Sequence, residues 1–145
     1  MFNIGKQKMK YEFETLYLAI VLEKGWITDS NEKGNDLLSF YKEYNGNGTL
    51  QISLATSVGE EEFNIKDALK KFQIKESDVK KYKKHGSMVY EFHREDDKMD
   101  YTYFNLVRDR IVILTTYTCL KDSIDLNEIY EATKIAQSIS INTKN

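Results

Sequence analysis

The feature that most constrains the fold is a two-residue alternation of apolar and polar side chains around one turn signal. The alternating apolar residues are Leu38, Phe40 and Tyr44 before the turn and Leu50, Ile52 and Leu54 after it. Because successive side chains of a strand point to opposite faces, this pattern predicts two strands with one apolar face. The turn sequence Asn45-Gly46-Asn47-Gly48 tolerates positive φ, so a β-hairpin is expected here.

The same alternation predicts strands at residues 87–95 and 99–107. Two more strands are predicted from composition: residues 13–22 are rich in Leu, Ile, Val and Tyr, and residues 111–119 are nearly all β-branched or aromatic. A helical period replaces it in two places. Asn64 is a plausible N-cap for a helix over residues 65–72, and Asp125 with Glu128 forms a capping-box-like pair before the closing helix. Residues 77–84 fit either a helical turn or a lysine-rich edge strand. The expected fold is therefore α+β, with a mainly antiparallel β-sheet of about six strands flanked by helices.

Composition limits the domain count and the class of protein. The chain has 145 residues, of which 41% are hydrophobic and 30% charged, which favours one globular domain over disorder. We expect this domain to span residues 13–142, after a flexible N-terminal segment over residues 1–12. The longest early apolar run, residues 16–22, is far shorter than the roughly 20 residues of a membrane span. No membrane association is expected, and the protein is predicted to be cytoplasmic.

The order of the predicted elements resembles that of the PsbP-like superfamily over roughly residues 13–142. The resemblance rests on residues 18–22 followed by Gly25-Trp26, the hairpin turn 45–48, the strand 111–117 and the closing helix that runs into residues 138–141. Members commonly carry a proline before the Gly-Trp corner, whereas this chain has Glu23-Lys24 and no proline at all. We therefore expect packing of Trp26 to anchor that corner. The resemblance implies a small, non-catalytic bacterial module, and it carries over neither the photosystem role nor Ran binding.

Two groups of side chains could carry chemistry. Cys119 is the only cysteine, which excludes an internal disulfide; it is either a nucleophile beside a histidine or an inert thiol packed at the end of an apolar strand. Glu91, His93 and Glu95 share one strand face, so they could bind a divalent metal or simply form a solvated outer face. The solvated face is favoured because only one histidine is present there. No catalytic residue, metal site or cofactor is predicted.

The strongest functional lead is a concentration of lysines. Residues 66–84 contain eight lysines against three acidic side chains, although the whole chain has a net charge of −2. Such a segment could dock an acidic protein partner, or it could protect an edge strand from mispairing. The predicted partner-binding residues are Lys80, Lys81, Lys83 and Lys84. The near-neutral net charge argues against nucleic-acid binding.

Three functions follow from these observations. The first is a non-enzymatic protein-interaction module, such as an adaptor or an immunity protein. The alternative is a small-ligand-binding protein with a pocket between the sheet and the C-terminal helix, lined by Tyr and Phe. The third is a hydrolase or metal-dependent enzyme built around Glu91 and His93.

Overall fold

A computed structural model describes residues 5–30, 37–56 and 65–144. The described strands are β1 (Gln7–Glu12), β2 (Leu16–Leu22), β3 (Trp26–Thr28), β4 (Leu37–Lys42), β5 (Gly48–Thr56), β6 (Lys80–Lys84), β7 (Ser87–Glu95), β8 (Met99–Arg108), β9 (Ile111–Leu120) and β10 (Ser140–Thr143). The helices are α1 (Ile65–Lys71) and α2 (Leu126–Gln137), with single 3₁₀ turns at Glu76–Asp78 and Lys121–Ser123.

The strands form two antiparallel sheets. The larger has seven strands in the order β3-β4-β5-β9-β8-β7-β6, and the smaller has the order β1-β2-β10. The expected α+β class with mainly antiparallel pairing is confirmed. The expected number of about six strands is wrong, since the described residues alone form ten strands in two sheets. The additional strands are β1, β3, β6 and β10.

One continuous core joins one face of the large sheet to β2 and α2. Strand β2 alternates strictly, with Leu16, Leu18, Ile20 and Leu22 all buried. The facing residues of β5 and β9 include Ile52 and Ile113, and α2 contributes Ala132, Ile135 and Ala136. We call this face of the large sheet the inner face. Helix α1 lies on the opposite, outer face, where Phe72 stacks on Tyr103 with ring centres 5.4 Å apart.

The N-terminal expectation needs correction for residues 7–12. They form β1, which pairs with β2 along its whole length, rather than a flexible segment. Tyr11 is only 1% exposed, and its ring meets Phe40 edge-on at 5.7 Å. Only Met9 and Tyr11 mark the apolar face of this strand, which is too short an alternation to identify it from the sequence.

The hairpin is present, but its turn lies earlier than predicted. Strand β4 ends at Lys42, Asn45 takes a positive φ of 58°, and β5 begins at Gly48. Tyr44 is therefore in the turn and 75% exposed, so its placement in a half-buried strand was wrong. Gly48 is needed for space, because a Cβ there would lie 2.5 Å from the carbonyl oxygen of Thr118.

Helix α2 begins as predicted but uses its first turn differently. Asp125 is the N-cap and accepts hydrogen bonds from the backbone N–H groups of Asn127 and Glu128. The side chain of Glu128 does not serve as the second half of a capping box. It is buried and accepts hydrogen bonds from the backbone N–H of Asn47 (2.9 Å), the backbone N–H of Gly48 (2.8 Å) and the hydroxyl of Tyr117. The predicted N-cap of α1, Asn64, lies outside the described residues.

Replacing Glu128 by alanine should destabilise the fold by on the order of 3 kcal/mol, because the buried hydroxyl of Tyr117 and two partly buried backbone N–H groups would lose their acceptor. Glu131→Ala is the matched control on the same helix. Its ion pair with Lys42, at 2.9 Å, is partly exposed and should contribute no more than about 1 kcal/mol. Urea unfolding measures both variants. Equal losses of unfolding free energy in the two variants would show that the hydrogen bonds accepted by Glu128 do not stabilise the hairpin.

Trp26 is 3% exposed and faces the ring of Tyr117, with ring centres 6.5 Å apart. Trp26→Ala should cost about 3–5 kcal/mol, as large-to-small core substitutions do. Tyr44→Ala removes an exposed aromatic residue and serves as the control, with little expected change. A urea midpoint for Trp26→Ala close to that of the wild type would rule out the predicted anchoring role.

Candidate functional site: the lysine-rich edge of the large sheet

The four predicted lysines lie on one edge strand. Residues 77–84 were predicted to form either a helical turn or a lysine-rich edge strand. Both are present in succession, since the 3₁₀ turn Glu76–Asp78 is followed by β6. Strand β6 is the last strand of the large sheet and pairs with β7 on one side. Within the described parts of the chain, no strand pairs with its other side. Lys80, Lys81, Lys83 and Lys84 are all exposed.

The connection to β7 determines which backbone groups of β6 point outward. His85 and Gly86 form a two-residue turn with φ values of 50° and 83°, and Lys84 pairs with Ser87. In such a hairpin the residues next to the turn form a hydrogen-bonded pair, and such pairs then alternate along the ladder. The N–H and C=O groups of Lys81 and Lys83 therefore point away from β7, toward the outer edge.

Tyr82 ties the middle of β6 to the inner face of the domain. Its hydroxyl donates to Oε1 of Glu91 on β7 and accepts from Nε2 of Gln137 on α2, both at 2.9 Å. Burial raises the pKa of Tyr82 to about 12, and the hydrogen bond to Glu91 acts in the same direction. Lys80 adds an ion pair to the same carboxylate at 3.9 Å. This edge strand is consequently held in a defined position by two neighbouring elements.

A groove of about 370 Å³, the inner groove, lies on the α2 side of β6. Its lining consists of Lys6, Val21, Glu23, Lys84, His85, Lys134, Gln137 and Ser138. One carboxylate, Glu23, is shared between Lys6 at 3.4 Å and Lys134 at 3.9 Å. With three lysines around one glutamate, the inner groove carries a net positive charge. Lys6 and Lys134 are far from β6 in the sequence, so no local pattern could have placed them here.

A second groove, of about 210 Å³, lies on the α1 side of β6, and we call it the outer groove. It is lined by Ile65, Lys66, Leu69, Glu76, Val79, Lys81 and Tyr90. Four of these seven residues are apolar or aromatic, whereas Val21 is the one apolar residue in the lining of the inner groove. The ammonium group of Lys81 lies 5.7 Å from the centre of the Tyr90 ring, at the rim. The edge strand therefore separates a groove lined mainly by charged and polar side chains from one in which aliphatic and aromatic side chains outnumber the charged ones.

The possible metal site is not assembled. Glu91 bonds to Tyr82, Glu95 pairs with Lys121 at 3.4 Å, and Nε2 of His93 lies 2.9 Å from Oδ2 of Asp100. Among the described residues, no group of three or more His, Cys, Asp and Glu side chains could hold a metal ion. Glu91, His93 and Glu95 project from the same side of β7 as the buried Val89, which is the inner face, so their placement on an outer face was wrong. His93 and Glu95 are nevertheless exposed to solvent, whereas Glu91 lies beside the core.

Cys119 is 2% exposed and lies opposite Asp100 in the strand register. Burial raises the pKa of the Cys119 thiol, and the nearby carboxylates of Asp100 and Glu128 act in the same direction. A nucleophilic cysteine needs the opposite shift, because the thiolate is the reactive form. This environment matches the packed, inert thiol of the two alternatives.

The raised pKa of Tyr82 predicts a loss of stability in alkali. The folded protein keeps the phenolic proton up to about pH 12, whereas the unfolded chain releases it near the ordinary value of 10. The contribution of Tyr82 is therefore complete below pH 10 and is lost as the pH rises through 12. Urea midpoints measured across this window should fall less steeply for Tyr82→Phe than for the wild type.

Tyr44→Phe, which changes an exposed tyrosine, should leave the steepness of that alkaline loss as it is in the wild type. Parallel curves for the wild type and Tyr82→Phe would contradict the assignment.

Comparison with known proteins gives the fold a precedent. No protein-family model matches the chain, and no curated protein matches it either. A solved structure from Bacteroides thetaiotaomicron VPI-5482 is similar, with a TM-score of 0.54 and 14% sequence identity. The match covers 88% of this chain and 45% of that chain, so the chain spans less than half the length of that structure. In the described residues, no helix is long and apolar enough to cross a membrane. At this level of identity the likeness concerns the fold alone.

Proposed function

We propose that the protein is a non-enzymatic interaction module that binds an extended, acidic segment of a partner protein at the edge of β6. One observation carries this proposal: the backbone groups of Lys81 and Lys83 point outward at a sheet edge that Tyr82 holds in place. An extended segment can hydrogen-bond to such groups and add a strand to the sheet. The surrounding lysines favour a segment of negative charge.

The protective role of edge lysines is compatible with this function. Lysines on an edge strand discourage pairing with another copy of the same strand, because like charges would face each other. They discourage an acidic strand much less, since that strand neutralises them. The edge is thereby selective for the charge of its partner.

The resemblance to a superfamily, the cellular compartment and the adaptor or immunity role are part of the same proposal. The resemblance to the PsbP-like superfamily rests on the order strand, hairpin, helix, three strands and helix, which β2, β4–β5, α1, β7–β9 and α2 follow within a longer series of elements. This order supports a bacterial module of that type. A single cysteine suits a reducing compartment such as the cytoplasm. An adaptor or immunity protein would need a stable domain with one recognition edge and no reactive centre.

A second candidate function is the binding of a small anion in the inner groove. The three lysines around Glu23 favour it, and the groove borders α2, as the sequence-based alternative requires. Its lining, however, consists mainly of charged and polar side chains rather than Tyr and Phe. Titration with citrate tests this function. A small anion would bind equally well whether or not the β6 edge can accept a strand.

Lys83→Pro tests strand addition directly. Proline removes the outward N–H of Lys83 but no hydrogen bond to β7, and proline is tolerated on such edges. With a labelled octapeptide of alternating Glu and Val, binding should weaken by about tenfold or more, while the thermal unfolding midpoint stays near that of the wild type. Lys83→Gln removes the charge and keeps the N–H, so it should lose no more than about threefold.

Two controls use the wild-type protein. A Lys-Val octapeptide should bind much more weakly than the Glu-Val octapeptide, and amide exchange at Lys81 and Lys83 should slow only in the presence of the acidic peptide. Undiminished binding by Lys83→Pro would overturn the proposal. So would equally tight binding of a single-stranded oligothymidylate, which would indicate a general polyanion surface.

A further inference from the structure

The two grooves beside β6 are lined by different kinds of side chain. Because they lie on opposite faces of the sheet, the two faces of an added strand would each contact a different groove. Residues of an added strand alternate between the two faces of the sheet, in step with their neighbours on β6. Those opposite Lys81 and Lys83 would face the α1 side, and those opposite Tyr82 and Lys84 would face the α2 side. Each face leads to one groove.

The α2 side favours carboxylates. Lys84 and His85 lie at the inner groove together with Lys134, and Glu23 is the only carboxylate in its lining. The side chains of Lys6 and Lys134 are 59% and 39% exposed, so they can turn toward an incoming anion. A carboxylate here would stay partly hydrated, which keeps its desolvation cost low.

The α1 side favours aliphatic side chains. Val79, Ile65 and Tyr90 are half-buried in the walls of the outer groove, and Leu69 is buried beneath them. An aliphatic side chain placed here would complete the burial of these walls. Lys66 is already close to Glu76, at 4.0 Å, which reduces the positive charge on this side.

We infer that the partner segment is an extended strand whose carboxylate side chains alternate with aliphatic ones, the carboxylates facing α2 and the aliphatic residues facing α1. This inference rests on the proposed function and adds the pattern of the partner sequence to it. The pattern is a consequence of the backbone period: a segment with the same residues in block order places only half of its carboxylates on the α2 side and only half of its aliphatic residues on the α1 side.

The first experiment compares two labelled octapeptides of identical composition. One alternates Glu and Val, and the other has the block order Glu-Glu-Val-Val-Glu-Glu-Val-Val. Fluorescence anisotropy with the wild-type protein should show the alternating peptide binding about fivefold more tightly or better. Equal affinities would overturn the inferred pattern and leave the proposed function standing. Binding of neither peptide would overturn the proposed function itself.

The second experiment assigns the faces with neighbouring lysines of the same strand. Lys84→Gln changes the inner side, and Lys83→Gln is the matched change on the outer side. Lys84→Gln should weaken binding of the Glu-Val peptide about fivefold, and this loss should disappear for a peptide in which Gln replaces every Glu. For Lys83→Gln, the losses of affinity measured with these two peptides should differ by about twofold or less. Equal coupling at both lysines would overturn the assignment of carboxylates to the α2 side.

The aliphatic side has its own test. Val79→Thr nearly preserves the volume of the side chain and makes the outer groove more polar. It should weaken binding of the Glu-Val peptide and leave binding of a Glu-Thr peptide unchanged, while the thermal unfolding midpoint of the variant stays that of the wild type. The same loss for both peptides would show that the outer groove does not receive the aliphatic residues.

Discussion

The carboxylate of Glu128 is buried at the point where helix α2, the β4–β5 turn and strand β9 meet. Burying a charge is costly unless hydrogen bonds replace its hydration. Here two backbone N–H groups, of Asn47 and Gly48, and the hydroxyl of Tyr117 provide that replacement. The arrangement requires Gly48, because a side chain at that position would collide with Tyr117 and Thr118. A single side chain thereby fixes the position of the helix start relative to the large sheet.

The other end of α2 is fixed to the small sheet. The hydroxyl of Ser138 accepts a hydrogen bond from the backbone N–H of Val21 on β2, at 2.8 Å, and the chain then returns as β10 to pair with β2. Between these two ends, Ala132 and Ile135 complete the core. Gln137, at the end of the helix, donates to Tyr82 and so positions β6. The recognition edge therefore depends on the same helix that joins the two sheets.

The sequence predicted the elements whose pattern is local and strongly periodic. Strands β4, β5, β7 and β8 alternate clearly, β9 is a continuous run of mostly β-branched residues, and α2 repeats with helical spacing; all of them are present. Strand β1 was missed because only Met9 and Tyr11 mark its apolar face, and β6 was left open because four of its five residues are lysines. Strands β3 and β10 are only three and four residues long. The role of Glu128 could not be predicted, since a glutamate three residues after an N-cap has the spacing of a capping box whichever way its side chain turns. The four lysines of β6 were identified from charge alone, but both grooves depend on contacts between distant parts of the chain.

Charge and backbone geometry together explain how one edge can reject some strands and accept others. An exposed edge with outward N–H and C=O groups pairs with any extended chain unless its side chains discriminate. A second copy of β6 would bring lysines opposite lysines, and that repulsion opposes self-association. An acidic segment would meet no such repulsion and would be attracted by the same lysines. One set of side chains therefore both repels a second copy of β6 and attracts an acidic strand. Because exposed charges are screened by salt, this selectivity should weaken as ionic strength rises, whereas the contribution of the backbone hydrogen bonds should persist.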